Sequence, residues 1–271
     1  MIELKLADRI IKSKLPSFVM GIVNATPDSF HEQSRGGSEL ALRLIDEGAD
    51  IIDIGAESTR PGSEYISGEE EISRLIPIIN QLRKKSDVPI SVDTRKYEVM
   101  KAAFEAGANI LNDVSAMEDD PRLFDFCAKT KIPVILMHKR GIPSSMQNDT
   151  KYKSCFDEVN KYLLERARLA EKKGILPEKI ILDPGIGFGK STADNLFLIK
   201  NCSKLGNGHY KVLMALSRKT CIGDVTGRDV SERLCGTLTA DVIAVQNGAQ
   251  IIRVHDVKEA VDSMKMLNAL L

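Results

Sequence analysis

The stretch PISVDTRKYEVMKAAFEAGANILNDV (89–114) reads as one complete structural unit. It opens with a short β-branched run ending in Asp93 and Thr94. It continues through residues 98–106 with apolar side chains at three- and four-residue spacing, and closes with a second apolar run ending in Asn112 and Asp113. The outer runs predict strands buried on both faces, and the middle predicts a helix with one apolar stripe. Gly107 stands where a left-handed residue can end the helix, and Pro89 sits at a strand start, where no ladder donor is needed.

Outward from this stretch the pattern recurs. Strand-like runs are VMGIVN (19–24), DIIDIG (50–55), PVILMH (133–138), IILDPG (180–185), KVLMAL (211–216) and QIIRVH (250–255). Helical spacing covers 39–47, 69–85, 121–129, 156–173, 193–205, 231–247 and 257–270, and Gly48 repeats the role of Gly107. Eight strands alternating with eight helices over about 250 residues is the arithmetic of a (β/α)8 TIM barrel, although a doubly wound open sheet alternates too. The polar residues decide between them. Asn24, Asp53, Asp93, Asn112, His138, Asp183, Arg253 and His255 fall at or just past the C-terminal ends of their strands. A closed barrel gathers those ends around one mouth, whereas an open sheet spreads them along an edge. The expectation is a single α/β domain over 1–271, with residues 1–18 capping the bottom of the barrel.

Composition narrows the function. The chain has 271 residues, and 38 Lys+Arg balance 38 Asp+Glu. Zero net charge argues against a general nucleic-acid or membrane-surface binder, since both need a basic excess. No apolar run approaches the roughly 18–20 residues that span a bilayer. The start, MIELKLADRIIKSKLPSF (1–18), lacks the unbroken apolar stretch of a signal peptide. Cys127, Cys155, Cys202, Cys221 and Cys235 are odd in number and form no C-x-x-C pair, which predicts reduced thiols and a cytoplasmic protein.

DPGIGFGKS (183–191) looks at first like a phosphate loop. The P-loop pattern needs glycine where Pro184 stands, and in the dinucleotide pattern Gly189 comes one residue early, so a nucleotide is excluded. What remains is Asp183 at a strand end, followed by a glycine turn that lets backbone approach a flat ligand. Together with Asp93 and Asn112 it supplies what a planar heterocycle with a donor–acceptor edge requires: a carboxylate accepting paired N–H groups, and an amide that both donates and accepts. Ser217-Arg218-Lys219 and Arg253-x-His255 follow the seventh and eighth strands, the usual phosphate-gripping corner of this fold. Arg218 reads as a salt-bridging residue. His138 reads equally as a core histidine. A protein-built metal cage is not expected, because there is no paired His and no cysteine cluster; a divalent ion would arrive with a phosphate substrate. Two long polar segments, NATPDSFHEQSRGG (24–37) and GAESTRPGSEYIS (55–67), have the character of lids.

Taken together, GIVNATPDSF (21–30), GAESTRPG (55–62), SVDT (91–94), ND (112–113), LMH (136–138), ILDPGIGFGK (181–190), SRK (217–219) and RVHD (253–256) resemble the dihydropteroate synthase family, in its order and spacing. The resemblance spans residues 19–270. It implies condensation of 6-hydroxymethyl-7,8-dihydropterin diphosphate with para-aminobenzoate, giving 7,8-dihydropteroate and pyrophosphate in folate biosynthesis. It also implies Mg²⁺, a homodimer and sensitivity to sulfonamides. By position, Asp93, Asn112, Met137, Asp183, Phe188, Lys219 and Arg253 correspond to the pterin pocket. Asn24, Arg253 and His255 correspond to the diphosphate corner, with Asn24 on Mg²⁺. Phe30, Thr59, Arg60, Pro61, Phe188 and Thr220 correspond to the aminobenzoate site. Asp93, Asn112, Asp183, Lys219, Arg253 and His255 are the residues expected to carry the chemistry.

The sequence departs from the family pattern in three places. The first loop reads DSFHEQSRGG (28–37) where the family has D-S-F-S-D-G-G, displacing an acid to Glu32. Thr220-Cys221 stands for Ser-Phe, which keeps the hydroxyl and loses an aromatic face. Arg95 adds a cation near the mouth with no assigned role. Two other readings share the pocket: a methyltetrahydrofolate–corrinoid methyltransferase-like enzyme, and a non-catalytic pterin carrier. SRK, RVHD and the long loops argue against the first, since methyl transfer needs no pyrophosphate grip. Only the divergent first loop supports the second.

Overall fold

In the computed structural model, which describes residues 1–25, 36–58, 65–141 and 150–271, the chain opens with an antiparallel hairpin, β1 (Ile2–Lys5) and β2 (Ile10–Ser13). Eight parallel strands then close into a barrel. They are β3 (Phe18–Asn24), β4 (Ile51–Gly55), β5 (Ile90–Asp93), β6 (Ile110–Asp113), β7 (Val134–Met137), β8 (Ile180–Asp183), β9 (Lys211–Met214) and β10 (Ile251–Val254). Closure is direct: β10 pairs with β3, Ile251 opposite Phe18 and Val254 opposite Gly21. Outside them lie α1 (Gly36–Asp46), α2 (Gly68–Arg83), α3 (Tyr97–Glu105), α4 (Arg122–Thr130), α5 (Cys155–Lys172), α6 (Thr192–Lys200), α7 (Thr220–Thr226), α8 (Leu234–Gln246) and α9 (Val257–Leu270). The alternation expected from the sequence is the architecture found.

Period-two alternation along each strand sorts the interior into layers. Phe18, Met20, Ile51, Ile110, Ile135, Ile181, Leu213 and Ile251 form one apolar cluster inside the lower barrel. Leu4 and Leu6 of the hairpin belong to the same cluster, so the N-terminal segment plugs the floor. The intervening residues, such as Val19, Ile52, Val92, Leu111, Leu182 and Ile252, pack outward against the helices in a second cluster. Two residues above the floor, on the same inner face, stand Asp53, Asn112, Met137, Asp183 and Arg253. The register that builds the core therefore also raises a polar ring above it.

Three elements differ from the sequence reading. The helix expected over 193–205 stops at Lys200, where the Asn201 side-chain amide donates back to the Phe197 carbonyl at 2.9 Å. A 3₁₀ segment, Cys202–Gly208, follows and turns through left-handed Gly206 and Asn207. The helix expected over 231–247 splits into a 3₁₀ turn, Val230–Glu232, and α8. Helix α7, TCIGDVT, was not expected, because its β-branched residues and glycine are weak helix formers. Among the described residues, no helix is long and apolar enough to cross a membrane.

One buried group opposes this stability. Asp241 of α8 is fully buried, and neither carboxyl oxygen has a hydrogen-bond partner. Burial pushes its pKa well above the carboxylate range. The folded state thus retains a proton that the unfolded chain releases, and stability falls as pH rises from about 4 toward the raised value. The near-isosteric Asp241→Leu should gain about 1–3 kcal/mol near neutral pH. Urea denaturation at several pH values checks this: the gain should shrink toward acid, and a pH-independent gain would contradict the assignment.

Candidate active site

The polar ring is built by strands far apart in sequence. The Arg253 guanidinium of β10 donates from Nε to Asp53 Oδ2 of β4 at 2.7 Å, and from Nη2 to Asp93 Oδ2 of β5 at 3.3 Å. Asn112 Nδ2 of β6 donates to both Asp53 oxygens at 3.2 and 3.3 Å. Asp53 is completely buried, so its charge depends on these partners. Burial also raises the Asp93 pKa; Arg253 opposes that shift and the neighbouring Asp53 adds to it. Asp93 is consequently biased toward holding a proton and can donate as well as accept.

Asp183 ends β8 beside Met137, its ladder neighbour on β7. Its Oδ1 accepts the Gly185 N–H at 2.7 Å. Burial raises this carboxyl's pKa, while the Gly185 N–H and the charges of Lys219, Arg253 and Lys190 pull it back. Arg253 and Asp183 are therefore near enough for each charge to act on the other. The turn demands glycine: Gly185 has φ +67°, and a Cβ there would lie 1.9 Å from the His138 carbonyl oxygen. Lys219, N-cap of α7, sets Nζ 4.6 Å from the Phe188 ring centroid. Burial pushes its ammonium down to about 8, with Asp183 favouring the charged form.

The remaining expected residues occupy the rim. His255, just past β10, has Nδ1 2.9 Å from Ser217 Oγ, and its backbone N–H donates to the same oxygen at 3.2 Å. Asn24 is exposed at the end of β3, and Thr220 is exposed at the start of α7. Phe30, Thr59, Arg60 and Pro61, with Glu32, lie outside the described residues. Arg218 pairs with Asp256 through contacts of 2.6 and 3.0 Å. His138 is buried edge-on to Tyr162, its ring centroid 5.0 Å away. Burial, with Lys190 nearby, pushes its pKa down to about 3, so it is a neutral core imidazole.

Sequence reasoning listed Asp53 among the strand-end polar groups but gave it no part in the site. The signal was available: Asp53 lies two residues after Ile51, on the inner face. Arg95, left without a role, donates to Glu57 Oε2 at 3.0 Å and Asp119 Oδ2 at 3.1 Å and stacks 3.6 Å from the Tyr65 ring centroid. Glu57 also accepts from Lys96 Nζ at 2.7 Å and the Ile66 N–H at 2.9 Å. This network joins the segments following β4, β5 and β6, and only the spatial order of the strands reveals it.

Among the described residues, no group of three or more His, Cys, Asp or Glu could hold a metal ion. The rim offers Asn24, a single hard oxygen donor. That suits Mg²⁺ carried in by a phosphate substrate, because Mg²⁺ keeps most of its ligands from water and phosphate.

Comparison with known proteins agrees with this geometry. The pterin binding enzyme family model matches residues 20–255. Dihydropteroate synthase of Escherichia coli K12 is 43% identical over 261 residues, 93% of this chain and 91% of that protein. Xanthomonas albilineans dihydropteroate synthase, solved with 4-aminobenzoic acid, superposes with a TM-score of 0.92 at 42% identity, covering 99% of this chain and 97% of that one. A structure of the Xanthomonas protein with 7,8-dihydropteroate gives 0.88 at 40% identity, covering 99% and 98%.

The buried ion pair makes a quantitative prediction. Arg253→Met removes the cation and strands Asp53 in the interior, a loss of about 3–5 kcal/mol. Adding Asp53→Asn should restore part of it. Denaturant titration of both variants checks the pairing, and an equal loss in the single and double variants would refute it.

Proposed function

This chain belongs to the pterin-binding enzymes and, among them, to the dihydropteroate synthases, transferases of folate biosynthesis; from that premise we propose how its mouth carries out the condensation. The observation that carries the reading is the convergence of Asp93, Asn112, Asp183, Lys219 and Arg253 above a sealed apolar floor. The substrates are 6-hydroxymethyl-7,8-dihydropterin diphosphate and para-aminobenzoate, in keeping with the ligands of the Xanthomonas structures.

The pterin ring lies against the acids. Asp183 accepts paired N–H groups from its aminopyrimidine edge, while Asn112 and the proton-bearing Asp93 meet its mixed donor–acceptor side. Phe188, with Lys219 alongside, covers a ring face. The bond from the pterin methylene to the diphosphate oxygen breaks first, its electron pair leaving with pyrophosphate. Fixed carboxylates in a water-poor cavity stabilise the cation left behind. The aminobenzoate nitrogen then forms the new carbon–nitrogen bond and sheds one proton to solvent or to the departing pyrophosphate. That amine is neutral at pH 7 and needs positioning rather than a strong base. Arg253, His255 and Asn24 serve the diphosphate. Asn24 would hold a Mg²⁺ brought in with the substrate, which would help neutralise the charge of the leaving group.

Two further properties follow from membership in this family. Sulfonamides are expected to compete at the aminobenzoate position. A homodimer is expected as well; the large exposed apolar side chains Leu196, Phe197 and Ile243 on the adjoining helices α6 and α8 support a surface that a second copy covers.

A pyrophosphate-release assay with each substrate omitted in turn tests the reaction: release should need both. Transfer of a methyl group from methyltetrahydrofolate to a corrinoid acceptor would overturn the reading in favour of a methyltransferase. Pterin binding without release would overturn it in favour of a carrier. Asp183→Ala should lose about 2–4 kcal/mol of transition-state stabilisation, a fall of about 30- to 1000-fold in kcat/KM; an unchanged value would remove Asp183 from the mechanism.

A further inference from the structure

Lys190 closes the 183–190 motif, yet the reaction described above gives it no task. Its side chain is buried, with 4% of the residue exposed, and it points away from the mouth into the turn. An ammonium has three protons to donate and nothing to accept. Here Nζ donates to the carbonyl oxygens of Gly185 at 2.9 Å and Phe188 at 3.0 Å, and more loosely to that of His138 at 3.4 Å. These carbonyls tie the turn to the end of β7. The turn is held from its other side by Asn195 of α6, whose Oδ1 accepts the Gly187 N–H at 2.9 Å and whose Nδ2 donates to the Lys190 carbonyl at 3.3 Å.

We propose that Lys190 is a positioning residue: its buried ammonium, shared among three backbone carbonyls, holds the 183–189 turn in the shape that presents Asp183 and Phe188 to the pterin ring. The proposal rests on the reading of this mouth as a pterin site. Lys190 touches no substrate and acts through the turn. Removing the side-chain ammonium takes the shared donor from three carbonyls; that of Gly185 keeps the Phe188 N–H at 3.1 Å, and the turn must rearrange to satisfy those of Phe188 and His138. Arginine preserves the charge but not the grip, because a planar guanidinium cannot meet three carbonyls arranged around one nitrogen.

Charge is part of the device. Burial pushes the Lys190 ammonium down to about 7. The groups facing it are Asp183 on β8, Asp194 on α6, Cys155 on α5, His138 after β7 and Lys219 before α7. His138 is neutral, and the Cys155 thiol, pushed up to about 12 by burial, is uncharged near neutrality. Asp183 and Asp194 therefore retain the Lys190 proton, and Lys219 opposes them. Below about 7 the clamp is closed; above it, the proton leaves and the grip weakens.

The test is calorimetric titration of the full chain with diphosphate-free 6-hydroxymethylpterin between pH 6 and 9, for wild type, Lys190→Met and Lys190→Arg. Steady-state KM values for both substrates and thermal melting accompany it. Wild type should bind the ring best at pH 6, with affinity falling as pH rises. Lys190→Met should weaken binding at pH 6 at least tenfold and raise the pterin KM at least fivefold more than the aminobenzoate KM measured at saturating pterin, which can rise only through Phe188. Lys190→Arg should bind less tightly than wild type at pH 6, but its decline should begin at higher pH, where Lys219 and Asp93 titrate, each at about 8. A folded Lys190→Met with wild-type ring affinity, or equal rises in both KM values, would overturn the proposal. Should Lys190→Met fail to melt cooperatively, Lys190→Arg decides: a decline coincident with wild type overturns the clamp. A wild type that does not bind the ring at any pH would instead overturn the pterin reading itself, and the clamp with it.

Discussion

The Arg253 guanidinium is the group on which the mouth depends. Three acids, Asp53, Asp93 and Asp183, are gathered at the strand ends by a register that the apolar floor shares. Two like charges about 4 Å apart repel by about 4 kcal/mol near a protein surface, a large share of the 5–15 kcal/mol that holds an ordinary domain together. Arg253 touches Asp53 and Asp93 directly and bears on Asp183 through space, and Lys219 adds a second cation. A concentration of acids at the mouth is therefore tolerated within the fold. The same cation also faces the expected diphosphate position, so one side chain balances the resting charge and meets the incoming one.

Structural and functional roles are separated by single steps along the chain. Asn112 turns inward to Asp53, while its neighbour Asp113 turns outward and accepts from the Ser115 N–H and Oγ, each at 2.7 Å, and the Met117 N–H at 2.9 Å. Asp183 faces the ligand side, whereas the Lys190 ammonium, seven positions on, donates to backbone carbonyls. On the rim, Glu57 gathers Arg95, Lys96 and the Ile66 N–H, fixing both ends of the segment that leaves β4. The mouth is thus framed by polar groups whose observed partners belong to the protein itself.

Much of this was legible in the sequence, because a buried parallel strand writes its identity as a short apolar run and a helix as a spacing. The inward set of Asp93, Asn112, Asp183 and Arg253 could be anticipated, since alternation needs no knowledge of neighbours. What escaped depends on contacts between distant segments. Asp53 and Arg253 are 200 positions apart, and Lys190 meets a carbonyl 52 positions away. The N-terminal segment was expected as a cap of the barrel's bottom, but not as a hairpin, because Leu4 and Leu6 become floor residues only once eight strands surround them. Helix α7 was invisible because local propensity disfavours it; Lys219 starts it and left-handed Gly227 ends it. Arg95 looked like a stray charge until Glu57 and Tyr65 came to either side.

Closure of the barrel by pairing β10 with β3 has a further consequence during synthesis on the ribosome. The acids of β4 and β5 emerge long before the guanidinium of β10, and until that last strand docks they have no countercharge. An unfinished chain thus carries an unbalanced, water-seeking interior that resists premature compaction. Completion of the sheet and the pairing of Arg253 with Asp53 and Asp93 thus come with the same last strand.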